Sequence, residues 1–218
     1  MIKCLIFDCD GTLVDSEYLC NLALEIKLKQ YKVDVSASKL LEKYRGGKLS
    51  NILKSLEGEH QIKFNDDFVP EYRRLVDELF NSELKPCLGV QEALDDISLI
   101  NIHKCVASSG PVQKINSALR ITGLAHFFDG LIFSSYDVGS WKPEPGLFLH
   151  AAQNMGYAPS ECLVVEDSIV GITAAKAAGM KSILFDPYSI HDSKLCAHII
   201  KDMRQLSDQL EVIDKSLV

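Results

Sequence analysis

At 218 residues with 47% apolar content, the chain is long enough to bury a full core and to hold one domain plus an insertion. Thirty acidic against 23 basic residues give a net charge of -7, which argues against a general nucleic-acid surface but leaves local basic residues able to bind an anionic small molecule. The seven cysteines (Cys4, Cys9, Cys20, Cys87, Cys105, Cys162, Cys196) are odd in number and form no CxxC pair, so they read as reduced thiols packed in a cytoplasmic core. No run approaches the ~18 apolar residues of a membrane span, and one Lys followed by a strand is unlike a signal peptide.

The first element, Ile2 to Phe7, is an apolar run that reads as a buried strand, and Gly11 breaks it. Asp8 and Asp10 stand two residues apart at its carboxyl end, which in an open parallel sheet is where ligands sit. Two acids so close repel each other unless a cation lies between them. The spacing therefore asks for a metal and leaves one carboxylate to act as nucleophile or proton carrier.

From Ser16 to Phe80 the strand signal disappears. Ser16 reads as a helix cap, with Leu19, Leu22, Leu24 and Ile26 broadly on one helical side. A second helix starts at Ser36 and is interrupted by Gly46-Gly47; later pieces run through Ile52-Leu53 and from about Asp66 to Phe80. Pro86 and Gly89 then punctuate the chain, and a different rhythm follows.

Beyond Gly89, helices and apolar strands alternate. Val90 to Leu99 is helical and Lys104 to Ser108 a strand; Pro111 to Ile121 is helical with Pro in its first turn, and Gly130 to Phe133 a strand. Pro145 to Met155 is a helix closed by Gly156, followed by the strand Cys162 to Val165. Ser168 to Ala178 is a small-residue helix closed by Gly179, followed by the strand Ser182 to Phe185. This alternation predicts an α/β fold, a doubly wound, parallel, Rossmann-like sheet with right-handed crossovers that also takes in the first strand. The expected organisation is a catalytic core of residues 1–14 and 86–218, with an all-α cap inserted over residues 15–85 and hanging from the turn after strand one, over the carboxylates.

Three other strand ends face the same mouth. Ser108-Ser109-Gly110 offers hydroxyls and backbone N–H groups before a helix, a place that binds anions, although Ser-Ser-Gly alone is ordinarily a turn. Lys142, between Trp141 and Pro143, is better placed for a fixed anion than a surface lysine, and it can hold Asp8 ionised. Glu166-Asp167-Ser168 by itself reads as N-terminal capping; with Asp8 and Asp10 it completes the oxygen-rich cluster that Mg²⁺ prefers.

Taken in this order, the four segments resemble the haloacid dehalogenase superfamily of phosphohydrolases. Phe-Asp8-Cys9-Asp10-Gly11-Thr12-Leu-Val-Asp15 is similar to its first motif, Val-Ala-Ser108 to the second, Trp-Lys142-Pro143 to the third, and Val-Val-Glu166-Asp167-Ser168 to the fourth. The segments Tyr44 to Leu49, Ser109-Gly110-Pro111 and Phe133 to Pro143 look most like the bacterial members that act on 6-phosphogluconate.

The resemblance implies that Asp8 attacks phosphorus and becomes an aspartyl phosphate, and that Asp10 protonates the leaving alcohol and then takes a proton from water. It further implies that Mg²⁺ is held by Asp8, the backbone carbonyl of Asp10, Asp167 and Glu166, the last directly or through water. Ser108 and Lys142 grip phosphoryl oxygens. Asp15 fixes the hairpin under the cap, and Cys9 is filler.

Departures from related patterns separate the reaction types. Asp10 disfavours carbon–halogen and phosphonate cleavage, which do not use a second Asp. Sugar phosphomutases of this cap type carry a histidine shortly after the first motif, where this chain has Leu19 and Cys20; water is thus the expected acceptor, with a β-phosphoglucomutase-type mutase the alternative. Phospho-accepting signalling receivers share the residue types in another order and lack the helical insertion, and a catalytically dead binding module would not fill every chemical position.

Substrate choice is expected from the cap, where Arg45 and Lys48 flank Gly46-Gly47 and set two cations around an approachable backbone. Ser109 joins them as a binding residue. Two cations suit a substrate with a second negative group, such as a sugar-acid phosphate, and cap closure would exclude water from the first step. The expected protein is a cytoplasmic monomer acting on a small phosphorylated metabolite, with neither nucleic acid nor membrane as partner.

Overall fold

In a computed structural model, residues 1–100, 102–192, 196 and 198–215 are described. The chain forms two compact units, Met1–Val14 with Pro86–Val218, and Asp15–Lys85. The larger unit is built on a sheet of strands β1 (Cys4–Phe7), β2 (His103–Ser108), β3 (Ile132–Ser134), β4 (Cys162–Glu166), β5 (Lys181–Phe185) and β6 (Ile199–Ile200), in the order β3-β2-β1-β4-β5-β6. Every neighbouring pair is parallel. Its helices are α5 (Val90–Ser98), α6 (Val112–Ile121), α7 (Ser135–Val138), α8 (Gly146–Met155), α9 (Ile169–Ala177) and α10 (Leu206–Lys215). This is the doubly wound α/β sheet expected from the alternation of apolar runs and helices.

The strands read as unbroken apolar runs because both faces of the sheet are covered. On one face Cys4, Ile6, Cys105, Ala107, Cys162 and Val164 pack against Leu147, Phe148, Ala151 and Ala152 of α8 and against Ala174 and Ala175 of α9. Alternation sends Leu5, Phe7, Val106, Leu163 and Val165 to the other face, all fully buried. There the Phe7 ring meets Phe128 edge-on, with centroids 6.0 Å apart. All seven cysteines are free thiols, and Cys4, Cys9, Cys105 and Cys162 are buried. Hydrogen bonding among neighbouring thiols pushes Cys4 and Cys162 well above the ordinary thiol range, so they act as small apolar fillers.

Among the strands and helices named above, α7, β6 and α10 lie outside the expected set. β6 is two residues long, below what an apolar run can signal. In α10 the buried Leu206, Leu210 and Ile213 do follow helical spacing.

The smaller unit holds α1 (Glu17–Lys29), α2 (Ala37–Tyr44), α3 (Leu49–His60) and α4 (Phe68–Glu83), with α1 packed on α2 and α4. α1 buries Leu19, Asn21, Ala23, Leu24, Lys27 and Leu28. The expected stripe is thereby corrected: at 100° per residue, Leu22 and Ile26 fall outside this arc, Leu22 half-buried and Ile26 exposed, while Lys27 falls inside it. Lys27 tolerates burial by donating to Gln30 Oε1 at 2.7 Å and to Glu71 Oε2, with the Phe68 ring 5.8 Å away.

Ser16 is a second correction, since its backbone is already helical and its side chain makes no cap bond to α1. Ser36 does cap α2, accepting from Lys39 N. Asp15 ties its junction through its backbone, N–H donating to Lys85 O at 2.9 Å, while its side chain is exposed. No helix among the described residues is long and apolar enough to cross a membrane.

Ile6 lies at the centre of the larger core, fully buried on the central strand. Ile6→Ala should cost about 2–5 kcal/mol, read as a lower denaturant midpoint at unchanged slope.

Candidate active site

The strand order reverses between β1 and β4, and in such sheets the crevice at the reversal, beyond the carboxyl ends, receives ligands. β1 delivers Asp8, whose N–H still donates to Val165 O at 2.9 Å, so the nucleophile candidate continues the ladder. The chain then folds into a tight loop, with Leu13 N and Val14 N both donating to Cys9 O and Gly11 N donating to Val14 O. β4 ends at Glu166 and hands on to Asp167 and Ser168; β2 ends at Ser108. Lys142 arrives from the loop between α7 and α8.

These residues meet as one buried cluster. Lys142 Nζ donates to Asp8 Oδ1 at 2.5 Å and to Glu166 Oε1 at 2.7 Å, with the Phe148 ring 5.0 Å from the ammonium. Glu166 Oε2 accepts from Ser168 N at 2.6 Å and Ser168 Oγ at 2.8 Å, so both of its oxygens have assigned donors. Gly171 in the first turn of α9 makes room for that carboxylate, since a Cβ there would stand 1.9 Å from Oε1. Asp167 is bordered by Gly11, at φ +79°, where a Cβ would lie 2.4 Å from Oδ2. Thr12 Oγ1 approaches Asp167 Oδ1 at 3.5 Å, and the His191 ring lies 3.0 Å from the Asp167 carbonyl.

Burial raises the Asp8 carboxyl to about 7, and the charges of Glu166 and Asp10 add to this while Lys142 opposes it. Lys142 acts to hold Asp8 ionised, as expected, and burial opposes it. Lys142 itself is lowered by burial, but Asp8 and Glu166 together raise it above the ordinary lysine range.

Asp8, Glu166 and Asp167, all buried, offer carboxylate oxygens within 4.8 Å of one another. Hard oxygen donors so close suit a hard divalent cation. The residues present thus fit Mg²⁺.

The Asp10 carboxylate is not in that trio. It is met by Lys114, with Nζ 2.7 Å from Oδ1, a partner the sequence reading did not pick out. Its signal was modest: a basic residue in the first turn of the helix that follows the Ser108 segment. Thr12 lies in the first motif with no role assigned to it there, and His191 stands in no pattern that suggests Asp167. Ser108 is buried, and its Oγ accepts from Gly110 N at 3.1 Å, while Ser109 is half-buried beside it. Arg45, Gly46 and Lys48 lie together at the α2–α3 corner of the helical unit: Arg45 ends α2, Gly46 takes φ +69°, and Lys48 precedes α3.

A raised folded-state value means that ionising Asp8 opposes folding: its contribution is intact below 3.8 and is lost as pH rises toward about 7. Asp8→Asn removes that cost, so in chelator-treated protein the variant should melt above wild type at about pH 8 and lose the advantage near about pH 4.

Comparison with known proteins agrees with this geometry. The model of the haloacid dehalogenase-like hydrolases matches residues 5–185. The 6-phosphogluconate phosphatase of Escherichia coli (strain K12) is 34% identical over 191 residues, covering 86% of this chain and 85% of that protein. A phosphorylated carbohydrates phosphatase of Thermotoga maritima is 31% identical over 197 residues, covering 88% and 89%. Among solved structures, a haloacid dehalogenase-like protein of unknown function from Agrobacterium tumefaciens str. C58 superposes with a TM-score of 0.84 at 30% identity, covering 98% of this chain and 100% of that one. Sequence, sheet order and clustered strand ends together place the chain in the haloacid dehalogenase-like hydrolase family.

Proposed function

We propose that the protein is a Mg²⁺-dependent phosphatase that hydrolyses a small sugar or sugar-acid phosphate, 6-phosphogluconate foremost, through an aspartyl phosphate on Asp8. The observation that carries this reading is the buried Asp8–Lys142–Glu166 bridge beside Asp167, with Asp10 two residues on. The phosphatases named among the relatives support it.

In the first step an Asp8 oxygen attacks phosphorus in line, and the bond to the leaving oxygen breaks. Asp10 gives its proton to that oxygen. In the second step water attacks the aspartyl phosphate, Asp10 takes the water proton, and phosphate leaves with Asp8 restored. Lys142 and the Ser108 hydroxyl hold phosphoryl oxygens, while Glu166 keeps the ammonium aimed by accepting from it. Mg²⁺, held by Asp8, Asp167, the Asp10 backbone carbonyl and Glu166, would supply charge neutralisation to the phosphoryl group. Neither Leu19 nor Cys20, the positions compared with the mutase histidine, offers an imidazole, which favours water over a second sugar as acceptor.

Assay of phosphate release across sugar phosphates and sugar-acid phosphates with Mg²⁺ tests the proposal; turnover should be strongest on a sugar-acid phosphate and vanish in Asp8→Asn. No release from any member of the panel overturns it.

Arg45 and Lys48 are proposed to recognise the substrate's second negative group, with Gly46 allowing close backbone approach and Ser109 adding a hydroxyl. Arg45→Ala and Lys48→Ala should each raise KM about tenfold for 6-phosphogluconate and less for a neutral sugar phosphate, since a charged contact contributes about 1.5–3 kcal/mol. An unchanged preference between the two substrates refutes that role.

A further inference from the structure

We infer that Lys114 is a positioning residue for Asp10, fixing the carboxylate in the orientation from which it hands its proton to the leaving oxygen; this rests on Asp10 being the proton carrier proposed above. Lys114 Nζ holds Asp10 Oδ1 at 2.7 Å. The other oxygen, Oδ2, faces Gly110, where even an added Cβ would stand 3.6 Å away. A small residue there keeps space beside the oxygen assigned to carry the proton.

The lysine has a fixed origin. It belongs to the first turn of α6, and the segment leading into that helix is tied to two strand ends: Gly110 N–H donates to Ser108 Oγ at 3.1 Å, and Gly110 C=O accepts from Ser134 Oγ at 2.6 Å. An ammonium delivered from such an anchor restrains the orientation of the carboxylate it holds. Exposure separates the two lysines. The Lys142 side chain is 5% exposed within the cluster, whereas Lys114 and Asp10 are 23% and 18% exposed, which leaves their pair within reach of a leaving group.

The chemistry balances without any proton from Lys114. As the P–O bond breaks, its electron pair stays on the leaving oxygen and the proton on Asp10 Oδ2 moves there. Asp10 becomes a carboxylate facing an ammonium already in place, so no group has to reorient at that moment.

The test compares wild type, K114M, K114R and D10N on 4-nitrophenyl phosphate, whose leaving group needs little help from an acid, and on phenyl phosphate, which needs more. The ratio of kcat/KM for the two esters is read from one preparation, so any unfolded fraction cancels. General acid assistance predicts that D10N raises this ratio by about 100-fold and K114M by about tenfold, with the K114M effect in kcat and K114R lying between K114M and wild type.

If D10N shifts the ratio while K114M slows both esters equally, or only raises KM, the inference is overturned and the Asp10 reading stands. An arginine no better than methionine overturns it as well. If D10N leaves the ratio at the wild-type value, the Asp10 reading fails and the Lys114 inference falls with it.

Discussion

Two buried carboxylates and a buried ammonium cannot be assembled piecemeal, because each charge taken alone out of water carries a penalty of several kcal/mol. In this protein Lys142 answers both Asp8 and Glu166, and Ser168 answers the far side of Glu166. Each member of the bridge makes the burial of the next tolerable. Gly171 has no side chain where the Glu166 carboxylate sits, and Gly11 yields in the same way to Asp167. Removing Lys142 alone would leave both carboxylates without the ammonium they share.

Two chemical environments result within three residues of β1's end. Asp8 is nearly sealed, held by a buried lysine, and raised by its surroundings. Asp10 is partly exposed and held by a partly exposed lysine. Such a division suits one group that forms a bond to phosphorus and another that trades protons with alcohol and water.

The strand ends bearing chemistry were legible in the sequence because a sheet covered on both faces turns each strand into a continuous apolar run, so the polar residue after it stands out. Asp8, Ser108 and Glu166 each announce themselves this way. Lys142 was legible through its neighbours, Trp141 and Pro143. Lys114 was not, since a lysine in an amphipathic helix looks like any other until the fold brings residue 114 to residue 10. The same limit explains α1: the expected side held Leu22 and Ile26, and tertiary packing buries Lys27 instead, whose burial depends on Glu71 from another helix. Ser16 had the residue type of a cap without its backbone conformation, which sequence alone does not display.

The pairing of β1 with β4 sets Cys4 beside Cys162 and Phe7 beside Val165, residues separated by most of the chain. Long-range parallel pairing closes a large loop before it returns any contact, and it is slow for that reason. Asp8 and Asp167 are brought together only when β1 pairs with β4, across a stretch of chain that holds β2 and β3. The acidic cluster at the strand ends is therefore a property of the closed sheet rather than of any one segment of the sequence.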